Sequence, residues 1–226
     1  MNKMTNQRLI IFDLDGTLLN TIGDLAVACN HMLGLRALPT HTYEEYCSFV
    51  GNGIRRLVER ALPEELQTEE YVKAAREDFV QYYIEHIDEH TRPYDGIPAL
   101  VASLQAKGYK LAVASNKFQA GTEKLIRKFF PDIDFVDICG NREGVPLKPD
   151  TALVDIILRK AGVELENCIM VGDSAVDIET ARNAGIHSIG VSWGFRSRQE
   201  LEEANAERIV DTVEELNQTI ESILSL

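Results

Sequence analysis

Hydrophobic and polar positions follow two different textures along this chain. From Arg8 to Phe12 a short, continuous apolar run rich in Ile is the pattern of a strand buried on both faces of a sheet. From about Leu18 to Arg92 apolar positions recur at helical spacing. They predict four helices, Thr21–Leu35, Thr42–Phe49, Ile54–Leu62 and Thr68–His90, set apart by Pro39, Gly51-Asn52-Gly53 and Pro63. No strand is expected in that span. After Pro93, strand-like runs at Leu111–Ala114, Phe135–Ile138, Ile169–Val171, Ser188–Val191 and Arg208–Val210 alternate with amphipathic stretches of helical spacing. Those stretches are Ile97–Lys107, Gln119–Phe129, Asp150–Ala161, Ala175–Ala184, Arg198–Asn205 and Val213–Leu224.

Such alternation predicts an α/β fold, a parallel sheet with helices on both faces. A strand-to-helix connection takes only a few residues, so residues 18–92 are too many for a loop. They predict an inserted all-helical cap domain, with residues 1–17 and 93–226 forming the core. The chain's 226 residues, 45% of them hydrophobic, suffice for one sizeable core and a smaller one.

Charge narrows the partners. A net charge of −13 offers no basic stripe to a nucleic acid or an anionic membrane, so a small anionic substrate must meet a local positive site. The four cysteines, Cys29, Cys47, Cys139 and Cys168, are scattered, with no paired spacing for a metal. This favours a reducing, cytoplasmic setting. The run Leu9–Phe12 is far shorter than the apolar region of a signal peptide, and no stretch of 18 apolar residues occurs, so neither export nor membrane insertion is expected.

Ligands of parallel sheets bind beyond the carboxyl ends of the strands, which directs attention to the polar residues that follow apolar runs. Four segments qualify: Asp13-Leu14-Asp15-Gly16-Thr17, Ser115-Asn116-Lys117, Lys148-Pro149-Asp150 and Gly172-Asp173-Ser174-Ala175-Val176-Asp177. Each alone reads as a turn or a helix cap. Together they bring carboxylates, a lysine and a hydroxyl to one sheet edge, the inventory of phosphoryl transfer. A carboxylate attacks a phosphate dianion only if a divalent cation and a fixed positive charge neutralise the developing oxyanions. Asp13 and Asp173 are the candidate side-chain ligands of Mg²⁺, and Lys148 is the fixed charge. Ser115, with Asn116 beside it, is placed to grip phosphate oxygens. Asp177 follows Asp173 at i,i+4, a spacing that would point both carboxylates the same way and let Asp177 orient a metal-bound water or Lys148 from behind. Asp15 is the candidate general acid for the leaving oxygen and general base for water.

These residues resemble the haloacid dehalogenase superfamily over Leu9 to about Leu216. Phe-Asp-Leu-Asp-Gly-Thr-Leu at 12–18 looks like its first motif, Ser115 its second, Lys148 its third and Gly172–Asp177 its fourth. The resemblance implies an aspartyl-phosphate on Asp13, a backbone carbonyl of Asp15 on Mg²⁺, and Asp173 completing the protein ligands. It also implies a Rossmann-like catalytic core with a helical cap inserted after the first motif. Val50-Gly51-Asn52-Gly53, Ser115-Asn116-Lys117 and Gly190-Val191-Ser192-Trp193-Gly194-Phe195 look most like phosphoglycolate phosphatases. Asn20 and Thr151 depart from the usual pattern, which has Asp and Pro there.

The expected activity is therefore hydrolysis of a small phosphate monoester, 2-phosphoglycolate or a similar metabolite, by a monomer or homodimer. In the cap, Gly51, Asn52 and Gly53 are expected to carry backbone into the site, and Arg55 or Arg56 to offer charge to a substrate carboxylate. A sugar-phosphate mutase of β-phosphoglucomutase type and a pyrophosphatase stay open, because both would keep the same catalytic set. A dehalogenase would leave Asp15 idle, and a catalytically silent relative would lack one of these residues.

Overall fold

A computed structural model describes residues 7–224. Residues 1–6 and 225–226, which the sequence reading places at the ends of the core, lie outside the described residues. In chain order the elements are β1 (Leu9–Phe12), β2 (Leu19–Asn20), α1 (Ile22–Gly34), α2 (Tyr43–Phe49), α3 (Gly53–Ala61), a short 3-10 turn at Glu64–Leu66, α4 (Glu69–His86), β3 (Arg92–Pro93), α5 (Ile97–Ala106) and β4 (Lys110–Phe118). They continue as α6 (Gln119–Phe129), β5 (Phe135–Asn141), α7 (Ala152–Ala161), a second 3-10 turn at Leu165–Asn167, β6 (Cys168–Gly172), α8 (Ala175–Ala184), β7 (His187–Val191), α9 (Arg198–Glu203), β8 (Arg208–Val210) and α10 (Val213–Leu224).

The main sheet has the order β5-β4-β1-β6-β7-β8, and its neighbouring strands run parallel. The expected parallel α/β core with a helical insert is what forms. Because the chain passes from β1 outward in one direction to β4 and in the other to β6, the order reverses at β1, and the crevice beyond its carboxyl end is the switch point where such sheets bind ligands. Asp13 is the first residue past that end. Alternation explains why β1 is apolar throughout. Ile10 and Phe12 join the cluster under α5, α10 and the helical insert, while Leu9 and Ile11 pack with Leu153, Val154 and Ile157 of α7 on the other face. The first cluster runs without a break into Leu25, Met32, Phe79 and Tyr83 of the insert, so the two expected cores are continuous.

Local chemistry sets the element ends. Thr42 and Glu45 form a capping box at the start of α2, with Thr42 N–H donating to Glu45 Oε2 at 2.7 Å. Gly162 and Gly185 close α7 and α8 in the left-handed conformation.

Three expectations are corrected. Residues 18–92 do contain strand at their ends, since β2 and β3 pair antiparallel, Leu19 with Pro93 and Asn20 with Arg92. The chain leaves and re-enters the core side by side there, and two-residue segments leave no periodic signal. β4 runs past its expected end at Ala114 to Phe118, with a register shift against β5 between Ala114 and Phe118, so Ser115, Asn116 and Lys117 sit in an irregular strand end. Finally, α4 stops at His86 rather than His90. The buried Asp24 carboxylate accepts from the His90 and Thr91 N–H groups, each at 2.8 Å, and from Thr91 Oγ1 at 2.7 Å, taking the backbone out of the helix.

Asp24 thereby ties α1 to the segment returning to the core. Asp24→Ala strands buried donors, and hydrogen bonds to a charged group contribute about 1.5–3 kcal/mol each but not additively. We expect a loss of about 2–5 kcal/mol, seen as a lower urea midpoint with an unchanged slope; a midpoint within error of the parent would contradict this role.

Candidate active site

The site starts with a backbone anchor. Asp13 N–H donates to Val171 O of β6 at 2.9 Å, after which the chain turns tightly, with Leu18 and Leu19 N–H donating to Leu14 O and Gly16 N–H to Leu19 O. Gly16 has φ +88°, and a Cβ there would collide with the Asp173 carboxylate; Gly194 is confined by Asp173 in the same way. Both positions admit only glycine because the Asp173 side chain passes between them.

Lys148 is the centre of the charge arrangement. Its Nζ donates to Asp13 Oδ1 at 2.8 Å, Asp177 Oδ1 at 2.6 Å and Ala114 O at 2.8 Å, which uses all three ammonium donors. Its side chain is only 2% exposed. Burial works against its charge, but the carboxylates of Asp13 and Asp177 outweigh that and hold its pKa above the ordinary lysine value. Asp13 goes the other way from an ordinary ion pair: burial pushes its pKa up to about 7, Lys148 opposes this, and the Asp177 and Asp15 charges add to it. Burial, then Asp177 and Asp13, likewise hold Asp173 well above the usual carboxylate range.

The remaining predicted residues take distinct places. Asp173 Oδ2 accepts from Phe195 N–H at 2.7 Å. Asp177 Oδ2 accepts from Ser174 Oγ at 2.7 Å and from Ser174 N–H, closing a capping box at the start of α8. Asp173 precedes that helix rather than standing on it, with Ser174 extended between the two, yet carboxylate oxygens of Asp173 and Asp177 converge within 4.8 Å and Asp177 Oδ1 accepts from Lys148. Asn116 Nδ2 donates to Gly51 O and Lys148 O, and its Oδ1 accepts from Lys148 N–H at 2.9 Å. Its amide is thus occupied in fastening the Lys148 loop and the insert. Ser115 Oγ accepts from Lys117 N–H and is buried beside Asp13.

Asp13, Asp15, Ser115, Lys148 and Asp173 line one cavity of about 50 Å³, together with Gly51 and Gly53. Asn52 and Arg55 do not; they line a neighbouring cleft with Arg56 and Arg60, and Asn52 Oδ1 accepts from Arg60. Helix α3 turns its apolar face, Ile54 and Leu57, to the cavity and its charged face, Arg55, Arg56 and Arg60, to the cleft. Sequence reasoning assigned no role to Lys117, Tyr83, Thr21 or Arg196. Lys117 Nζ lies 3.0 and 3.3 Å from the two Asp15 oxygens and 2.6 Å from Tyr83 Oη, and Thr21 Oγ1 donates to Asp15 Oδ1 at 2.7 Å. Arg196 donates to Ser48 O and Val50 O of the insert. Only Lys117 had a signal, its place directly after Ser115-Asn116; Tyr83 reads as an ordinary core position of a helix.

Carboxylate oxygens of Asp13, Asp173 and Asp177 lie within 4.8 Å of one another. All are hard donors suited to a divalent cation. Asp177 is already committed to Lys148 and Ser174, which leaves Asp13 and Asp173 as the residues that could hold a metal ion. Burial, reinforced by the neighbouring carboxylates, raises the pKa of both, and a divalent cation between them would favour their charged forms.

Residues 10–191 match the family described as haloacid dehalogenase-like hydrolase. Curated relatives include phosphoglycolate phosphatases of Mesorhizobium japonicum, 34% identical over 84% of this chain and 85% of the relative, and of Haemophilus influenzae strain 86-028NP, 33% identical over 94% and 97%. A solved structure from Lactobacillus delbrueckii subsp. bulgaricus, provisionally named a phosphoglycolate phosphatase, superposes with a TM-score of 0.90 at 34% identity, covering 96% of this chain and 99% of that one.

A ligand present at 100 times its Kd stabilises a protein by about 2.7 kcal/mol, or roughly 5–10 °C in a chain of this size. We expect MgCl₂ or MnCl₂ to raise the Tm on this scale, and Gly16→Ala and Asp173→Asn to abolish the rise. A full metal-induced shift in Gly16→Ala would contradict the tight Gly16–Asp173 packing as the basis of the site.

Proposed function

The chain belongs to the haloacid dehalogenase-like hydrolase family, and from that premise we propose that it is a phosphatase acting on small phosphate monoesters through Asp13, with Mg²⁺ as its metal. One observation carries the reading: a buried Lys148 ammonium 2.8 Å from Asp13 Oδ1, beside Asp173 and at the switch point of the sheet. Residues 18–92 are proposed as the cap over this core and the cytoplasm as its place of action. No helix among the described residues is long and apolar enough to cross a membrane.

Lys148 takes one oxygen of Asp13, so Oδ2 is the oxygen left to attack phosphorus. As the Asp13–phosphorus bond forms, the bond to the leaving oxygen breaks, and that oxygen takes a proton from the Asp15 carboxyl group. The product is an aspartyl-phosphate on Asp13 and a free alcohol. Water then gives a proton back to Asp15 and attacks phosphorus, which breaks the bond to Asp13 and frees phosphate. Ser115 and nearby backbone N–H groups hold phosphate oxygens, and Lys148 balances the charge that builds on them. Asp13, Asp173 and the Asp15 carbonyl would hold Mg²⁺, which when bound would supply the positive charge that lets a phosphate dianion approach a carboxylate.

Two features favour a small substrate such as 2-phosphoglycolate. Asp13, Ser115 and Lys148 share one cavity with Val50, Gly51 and Ile54 of the insert, and the curated relatives carry the name phosphoglycolate phosphatase.

Purified protein is expected to release inorganic phosphate from 2-phosphoglycolate with Mg²⁺ and to lose that activity in excess EDTA. Asp13→Asn should abolish turnover. Asp15→Asn should slow it by about 10²–10⁴-fold, the usual contribution of a general acid or base. Full activity in EDTA, or in Asp13→Asn, would refute the proposal, and conversion of a sugar phosphate to its isomer without phosphate release would replace it with the mutase reading.

A further inference from the structure

The proton-transfer residue Asp15 is held by two side chains, one of them braced by the insert. Lys117, at the irregular end of β4, contacts both of its oxygens at 3.0 and 3.3 Å, and Thr21, at the β2–α1 junction, donates to Oδ1 at 2.7 Å. Helix α4 enters through Tyr83, whose hydroxyl accepts from the same Lys117 ammonium at 2.6 Å; the ammonium also sits 4.9 Å from the Tyr83 ring centroid. The Lys117 side chain is 3% exposed and that of Asp15 14%. A buried ammonium with three donors is tolerated only when they are met, and here they are met by Asp15 and Tyr83 together.

We infer that Lys117 is a positioning residue for Asp15 and that Tyr83, from the helical insert, keeps Lys117 in that position. The inference rests on the proposed role of Asp15 as proton donor and acceptor. Proton transfer requires the carboxyl oxygen within about 2.6–3.2 Å of the leaving oxygen, and a carboxylate free to rotate meets that condition only part of the time. In the first step the phosphorus–leaving-oxygen bond breaks and the leaving oxygen takes the Asp15 proton. Lys117 keeps its own proton and faces the carboxylate that results. Tyr83 lies on the insert, whereas Lys117 and Asp15 lie on the sheet edge, so the proton-transfer geometry is complete only with α4 seated on the core. Tyr83 is itself fixed by ring contacts with Phe79 and Phe118.

The test compares leaving groups. For wild type, Lys117→Met, Tyr83→Phe and Asp15→Asn, kcat/KM is measured with 2-phosphoglycolate, ethyl phosphate and p-nitrophenyl phosphate. This parameter reports the first phosphoryl transfer, and nitrophenolate departs without needing a proton. Lys117→Met is expected to lose about 10²-fold on both alkyl phosphates and little on p-nitrophenyl phosphate. Tyr83→Phe, which keeps its ring contacts and guards against a folding defect, should show the same pattern more weakly. Equal loss on all three substrates would mean a scaffold role and overturn the inference, as would a loss confined to 2-phosphoglycolate, which would make Lys117 a substrate-carboxylate ligand. Leaving-group dependence in Asp15→Asn but not in Lys117→Met overturns the inference alone, whereas its absence in Asp15→Asn overturns the role of Asp15 and the inference with it.

Discussion

The arrangement depends on one buried contact set, the Lys148 ammonium shared between Asp13 and Asp177. Carboxylates carried to a sheet centre by apolar strands are unfavourable there unless a counter-charge is fixed beside them. Removing one partner of a buried pair typically costs about 3–5 kcal/mol, whereas an exposed pair such as Arg127 with Glu123 is worth about 0–1 kcal/mol. Much of the local structure serves this contact. Asn116 clamps the Lys148 backbone, Ser174 holds the far side of Asp177, and Val171 O fixes the start of the turn at Asp13. Even so, burial, reinforced by the neighbouring carboxylates, keeps Asp13 and Asp173 on the high side of their normal pKa range. A divalent cation held between them would offset that penalty.

The surface and the site have opposite electrostatic tasks. A chain with net charge −13 repels anions at long range, so selectivity for a phosphate must come from charges placed within a few ångströms. Lys148 and Lys117 are both buried, where screening is weak and a fixed ammonium acts strongly. Arg196 is used differently: it ties the core to the carbonyls of Ser48 and Val50, close to Gly51 and Gly53 on the cavity wall.

What the sequence disclosed follows from physical range. β1, β6 and the helices of the second half were readable because each carries its own periodicity or apolar run; Asp13 and Asp173 were readable because they follow such runs, and Lys148 because it sits just ahead of a helix start. Pairing of two residues at β2 and β3 produced no pattern. The side chains of α3 also went astray: Gly51 and Gly53 do line the cavity, but a helix rotates by about 100° per residue, so a small error in its start sends Arg55 to another cleft. Tyr83 was invisible because its significance lies in a hydroxyl meeting Lys117, a residue far from it in the chain, and not in its neighbours.

Asp13 is the proposed acceptor of the phosphoryl group. Rapid acid quenching of excess enzyme mixed with Mg²⁺ and a ³²P-labelled phosphate monoester, followed by peptide mapping, tests it directly. Label on the peptide containing Asp13, labile to alkali and hydroxylamine as an acyl phosphate is, and appearing before free phosphate, is the predicted result. Phosphate forming from the first time point with the Asp13 peptide never labelled would contradict it.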